Sequence, residues 1–229
     1  MKTTSLLRAS AVFLLTGVAA VEAGTLLLTD PFPGGIVYRR AIELGFSEGP
    51  VDSVSFSRHV GAWSWEDNTL FNAGNGEPPV GWTHTSDWVA LTLQNPATLT
   101  LRMERDATVM VGATPAGTAF MFPSFTLWSG LEHLATEADT YNNRGNVSWA
   151  PALTYIGHLD NSTQTSVEMS WDLPAGQYSF VLGSNAPATD STRQGYLATF
   201  TAVPEPASAF FLLSGLTLLS GRRARTAAR

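Results

Sequence analysis

Period-two alternation of apolar and polar residues is the feature that most narrows the folds open to this chain. Leu99, Leu101 and Met103 alternate with Thr98, Thr100, Arg102 and Glu104. Val167, Met169 and Trp171 alternate with Ser166, Glu168, Ser170 and Asp172; Tyr178, Phe180 and Leu182 follow after Leu173-Pro174-Ala175-Gly176. Successive side chains of a strand point to opposite sides, so each set buries one face. Pro-Ala-Gly between two such runs reads as a hairpin turn. Further strands are expected at 51–57, 80–84, 87–94, 108–112, 120–127, 152–158 and 195–202. No long, capped amphipathic helix is present, and 131–139 has room for one short helical piece. Many short strands punctuated by Gly, Pro and Asn predict an all-β fold, an antiparallel β-sandwich of jelly-roll type.

The two ends do not share this pattern. Lys2 and Arg8 precede an apolar segment, Ala9 to Val21, and Val21-Glu22-Ala23 sets small residues at the positions signal peptidase reads. Residues 1–23 therefore read as a secretory signal peptide cut after Ala23. At the other end, Val203-Pro204-Glu205-Pro206 precedes an apolar run from Ala207 to Gly221, then Arg222, Arg223 and Arg225. The prolines are expected to separate the tail from the domain, because proline fits neither a helix interior nor a central ladder. The run is short against the roughly 20 residues that span a bilayer, and the arginines would hold the C-terminus on the cytoplasmic side. This three-part order over 203–229 resembles the PEP-CTERM sorting signal of Gram-negative bacteria. The resemblance implies a transient inner-membrane anchor, cleavage near Pro-Glu-Pro by an exosortase, and a secreted or surface-associated product.

What remains, 24–202, is one domain of ordinary size. It has no cysteine, so it must rely on packing or a metal rather than disulfides, and thiol catalysis and thiolate metal sites are excluded. It carries seven arginines, no lysine and seventeen Asp plus Glu, a formal charge of −10. Nucleic acid is not an expected partner of such a surface.

Gly81-Trp82-Thr83-His84 and Leu153-Thr154-Tyr155-Ile156-Gly157-His158 are the segments with chemistry to offer. On a strand, Trp82 and His84 would share a face, with Asp87 close enough to orient the imidazole. Two imidazoles converging from neighbouring strands suit a soft or borderline ion without any cysteine. These residues resemble those of the MopE and CorA type of surface copper-binding proteins of methanotrophs, as do Trp-Val-Ala-Leu-Thr-Leu after Asp87 and the Asn142-Asn143-Arg144-Gly145-Asn146 stretch. The resemblance implies a Cu(I) site of His84, His158 and Trp82, the tryptophan oxidised to kynurenine so that its freed amine joins the two histidines.

Other readings stay open. Seven tryptophans are many for this domain, and Trp63 with Trp65 would form a flat platform for a sugar ring, as in lectin-like modules of an extracellular polysaccharide matrix. Asp160 with Asn161, or Asp139 with Asn142 and Asn143, offer oxygens to calcium, although no EF-hand pattern is present. The chain has no Gly-X-Ser-X-Gly, no His-Glu-X-X-His and no phosphate loop, and no pair of carboxylates stands out. It reads as a binding or surface-structural protein rather than an enzyme.

Overall fold

The computed structural model describes residues 22–23, 25–27, 36–46, 51–66, 81–133, 140–186 and 192–205. The strands in chain order are β1 (Glu22–Ala23), β2 (Thr25–Leu27), β3 (Tyr38–Leu44), β4 (Asp52–Gly61), β5 (Asp87–Leu93), β6 (Ala97–Arg105), β7 (Met110–Val111), β8 (Thr114–Pro115), β9 (Pro123–Ser129), β10 (Thr154–Leu159), β11 (Ser166–Leu173), β12 (Gly176–Ser184) and β13 (Arg193–Pro204). Sheet one has the order β1-β4-β13-β6-β11, sheet two the order β10-β9-β12-β5-β3-β2, and β7 with β8 form a small hairpin. Pairing is antiparallel except for β1 with β4 and β3 with β5, which are parallel. The all-β sandwich is therefore as expected, with two parallel pairings in place of a wholly antiparallel pattern.

Several expectations need correction. The Pro174-Ala175 turn does not make a hairpin: β11 pairs with β6 in sheet one, whereas β12 pairs with β5 and β9 in sheet two. The turn is an arch between sheets, closed by Tyr178 Oη donating to the Pro174 carbonyl at 2.6 Å. The burial patterns explain the separation, since β11 alternates buried and exposed residues while β12 is buried on both faces from Tyr178 to Ser184. Pro204 ends β13 in register with Ala97 rather than standing outside the domain. It is tolerated because β4 stops pairing at Ala202, so this end of β13 is locally an edge. Strand β3 is absent from the expected list, because Arg39-Arg40 hides its alternation. Residues 131–133 form no helix; the rest of that stretch, and the tail from Pro206, lie outside the described residues.

The described residues form two apolar cores. The first fills the sandwich, with Leu99, Leu101, Met103 and Phe200 of sheet one against Leu91, Phe125, Leu127 and Phe180 of sheet two. The second lies on the opposite face of sheet two, where the alternate residues Trp88, Ala90, Trp128 and Val181 meet Trp65, Tyr141, Val147 and Leu153 from the connecting segments. Burying each such side chain contributes about 1.5–3 kcal/mol. Trp128→Ala is expected to cost about 3–5 kcal/mol. Glu168→Ala on exposed β11 should cost under about 0.5 kcal/mol. Urea unfolding with equal slopes checks both.

Candidate functional site

The candidate site lies on the rim of the second core. Past Gly61 the chain turns, and Ser64 and Trp65 drop onto sheet two. The Trp65 amide donates to the Ser184 carbonyl (3.0 Å), and its indole N–H donates to Thr126 Oγ1 (3.1 Å). That hydroxyl in turn donates to the Asn143 carbonyl (2.8 Å), and Asn143 Nδ2 donates back to the Trp65 carbonyl (2.5 Å). The segment 81–86 binds the same dipeptide. The Trp82 amide and the Tyr141 hydroxyl both donate to the Ser64 carbonyl, each at 3.2 Å. Gly81 backs onto Tyr141 so closely that a Cβ there would run into the ring.

Residues 81–84 do not form the strand expected over 80–84, of which residue 80 lies outside the described residues. Trp82 makes an isolated bridge to Thr140, and the Thr85 and Ser86 amides then donate to the Trp82 carbonyl, closing a turn with His84 exposed at its tip. Trp82 itself is half-buried, and its indole N–H is buried without an acceptor, as are those of Trp88 and Trp171.

His158 reaches the rim through a β-bulge. The register of β10 on β9 shifts between Tyr155 and Gly157, placing Tyr155 opposite Trp128 and His158 opposite Thr126. In a regular strand the two would face opposite ways; the extra residue puts both on the outer face. There the Tyr155 hydroxyl lies 2.5 Å from His158 Nδ1, and the imidazole packs 5.8 Å from the Trp65 ring. Arg144 lies over the same tryptophan at 5.2 Å and pairs with Glu66 (2.5 Å) and Asp160 (2.8 Å). Burial, followed by the Arg144 charge, pushes the His158 pKa below the ordinary histidine value, with Asp160 opposing. Tyr155 and Arg144 were not among the expected site residues, and Trp65 was expected only as part of a sugar platform; Gly157 inside a strand-like run was the available signal for a bulge.

Two other expectations are overturned, and the oxygens considered for calcium are found in hydrogen bonds of the chain's own turns. Asp87 does not orient His84: it is 1 % exposed and turns into the sandwich, where Tyr196 Oη donates to Oδ2 at 2.5 Å and Arg58 Nε lies 2.8 Å away. Its burial raises its pKa, and Arg58 and Tyr196 partly offset that. The platform of Trp63 and Trp65 does not form, because β4 ends at Gly61; Trp65 is fully buried, and none of the seven tryptophans is exposed. The calcium oxygens are engaged within the chain. Asn161 Oδ1 accepts the Thr163 and Gln164 amides, Asp160 accepts from Arg144 and Asn185, and Asn142 Oδ1 accepts the Arg144 amide. Asp139 lies outside the described residues. Among the described residues no three His, Cys, Asp or Glu side chains gather into a metal cage.

No protein-family model and no curated protein sequence matches the chain. Solved structures similar to it include CorA, a surface-associated copper-binding protein important in copper acquisition by Methylomicrobium album BG8, at 14 % identity and a TM-score of 0.46, covering 72 % of this chain and 98 % of that one. MopE, a secreted protein of Methylococcus capsulatus whose copper binding an oxidized tryptophan facilitates, is 16 % identical with a TM-score of 0.41, covering 82 % and 100 %. The pre-peptidase C-terminal domain of a Bacillus anthracis collagenase is 9 % identical with a TM-score of 0.33, covering 70 % and 93 %. Identities and scores this low assign no residue a role.

Because folding lowers the His158 pKa, the unfolded chain takes up the proton first. This group's contribution to stability is full above the ordinary histidine value and is lost as pH falls through it toward the folded value. Imidazole NMR should show His158 titrating below an unfolded-peptide histidine. Arg144→Gln should move that titration upward, since it removes a cation and frees Asp160. An unmoved titration would contradict the electrostatic assignment.

Proposed function

We propose that this chain is an exported protein that captures copper at the cell surface, holding Cu(I) between the imidazoles of His84 and His158 with a ligand derived from Trp82. The observation that carries the reading is the short path of contacts between the two segments. The Trp82 amide binds the Ser64 carbonyl, and the next residue, Trp65, packs against the His158 ring. That path links the segment carrying Trp82 to the strand carrying His158, which supports the reading.

The local chemistry fits. A metal ligand must be a neutral imidazole, and His158 is biased toward that state. With Nδ1 engaged by Tyr155, Nε2 is the nitrogen left for an ion. The buried Trp82 indole N–H lacks an acceptor, an arrangement that costs about 1–3 kcal/mol. Oxidative ring-opening to kynurenine, in which dioxygen cleaves the C2–C3 bond and hydrolysis releases C2 as formate, would replace that indole by an aromatic amine able to coordinate. Binding and storage, rather than turnover of a substrate, are what this set of groups supports.

Export rests on the two ends. Signal peptidase would release Gly24, taking β1 with the leader, and an exosortase would cut near Pro-Glu-Pro, just past β13. Mass spectrometry of the mature protein should find Gly24 at the N-terminus and a C-terminus near Pro204–Pro206; a mature chain still ending at Arg229 contradicts the sorting signal.

Protein purified without a histidine tag should carry near-stoichiometric copper, and His84→Ala and His158→Ala should each lose it. Copper retained in both variants, or absent throughout, rejects the site. An intact mass equal to the unmodified sequence removes only the tryptophan-derived ligand.

A further inference from the structure

A second concave surface lies on the other sheet. The segment between β6 and β9, carrying the β7–β8 hairpin, is strapped across the start of β13. The Asp106 and Gly117 amides donate to the Gly195 and Arg193 carbonyls (3.0 and 2.8 Å), and the Gly195 amide donates to Gly117 (2.7 Å). A Cβ on Gly195 would run into the Asp106 carbonyl, so glycine sets how close the strap lies. Between strap and strand opens a cleft of about 650 Å³, within the roughly 300–1,000 Å³ of small-molecule sites.

Its lining is unusual for this chain. In a domain of formal charge −10, none of the residues lining the cleft is acidic, and one of them is Arg193. Arg193 makes no ion pair among the described residues. Burial first, and then the charges of Arg193, Arg58 and Arg39, disfavour protonation of nearby His59, while Asp87 opposes them from its buried position. Arg193 stands two residue pairs along the β4–β13 ladder from His59, on the same face of sheet one.

The apolar wall is presented rather than left over. Phe120 is 37 % exposed, and it and Met110 (51 %) are two of the five large apolar residues exposed among those described, both on the strap. The Phe120 backbone is nevertheless fixed on both sides. Its amide donates to Gln194 Oε1 (3.1 Å), and its carbonyl accepts from Ser184 Oγ (2.7 Å). Arg105 pins the flanking residues by donating to the Ala119 and Met121 carbonyls (3.1 and 2.6 Å). With the backbone held this way, only the Phe120 side chain remains to be ordered when a flat partner covers it.

We propose that this cleft binds a uronic-acid residue, the Arg193 guanidinium taking its carboxylate and the Phe120 ring lying against the apolar face of the sugar. The guanidinium fork matches a carboxylate in two hydrogen bonds. A pyranose offers the pairing the cleft requires: C–H groups for the phenyl face and hydroxyls within reach of exposed Thr114. The site shares no residue with the proposed copper rim, and its fate is independent of that reading.

The test is calorimetric titration of the mature protein with a galacturonic acid trimer, its methyl ester and inorganic sulfate, with amide NMR to locate the contact. The trimer should bind and shift the Gly117, Phe120 and Gln194 amides. The ester should bind at least about tenfold more weakly, and Arg193→Gln and Phe120→Ala should each weaken the trimer by about tenfold or more. Arg193→Lys, which keeps the charge and loses the fork, should fall between wild type and Arg193→Gln. Unchanged circular dichroism establishes that the variants are folded, and an unchanged copper content separates this site from the other. Shifts elsewhere, equal binding of the ester, full competition by sulfate, or variants that bind as wild type would each overturn the proposal.

Discussion

Sheet two cannot stand with one face in water, and the stacking of Trp88 on Trp128 is where that constraint is met. The rings lie 5.4 Å apart and nearly parallel, with Tyr141 edge-on to both at 5.2 and 6.2 Å. Both tryptophans sit on the face turned away from the sandwich, so a sheet without a cover would present a broad aromatic patch to solvent. The connecting segments 61–66, 81–86 and 140–153 supply the cover. They are ordered because they bury apolar surface, at roughly 25 cal/mol per Å², and not because they form regular structure.

Irregular chain over a core must satisfy its own backbone groups. Here a few side chains do so. Thr126 links the Trp65 indole to the Asn143 carbonyl, and Asn143 returns a bond to Trp65. Tyr38 Oη, buried under the same cover, accepts the Glu132 amide and pairs with Ser179. Such bonds restrict the segments they join, although Asn143 Oδ1 is buried without a donor. Their consequence is positional: the turn with Trp82 and His84, and the bulge with Tyr155 and His158, are fixed to one scaffold by the residues that fill it.

The sheets were legible in the chain because half-buried strands alternate, as 98–104 and 166–172 do. The assignment of strands to sheets was not. Local spacing cannot distinguish a hairpin from an arch, and β11 and β12 part company because one has an exposed face and the other has none. The site was legible as residue types and misjudged as geometry. His158 was expected on a strand and is there, but it faces Trp65 only because of a bulge that Gly157 hinted at. Asp87 resembled a surface partner for His84 in sequence; burial beside Arg58 and Tyr196 gave it another task. Trp65 resembled a sugar platform and serves as the wedge between the two candidate segments.

The proposed copper site requires that the Trp82–His84 turn and His158 share one ion. Titration of the purified protein with Ag(I), a diamagnetic stand-in for Cu(I), followed by imidazole and indole NMR, decides whether they do. The prediction is that the His84 and His158 ring signals shift together and saturate at the same equivalent of metal, while those of His59 and His133 stay in place. Shifts of one imidazole without the other, or saturation at separate equivalents, would contradict it.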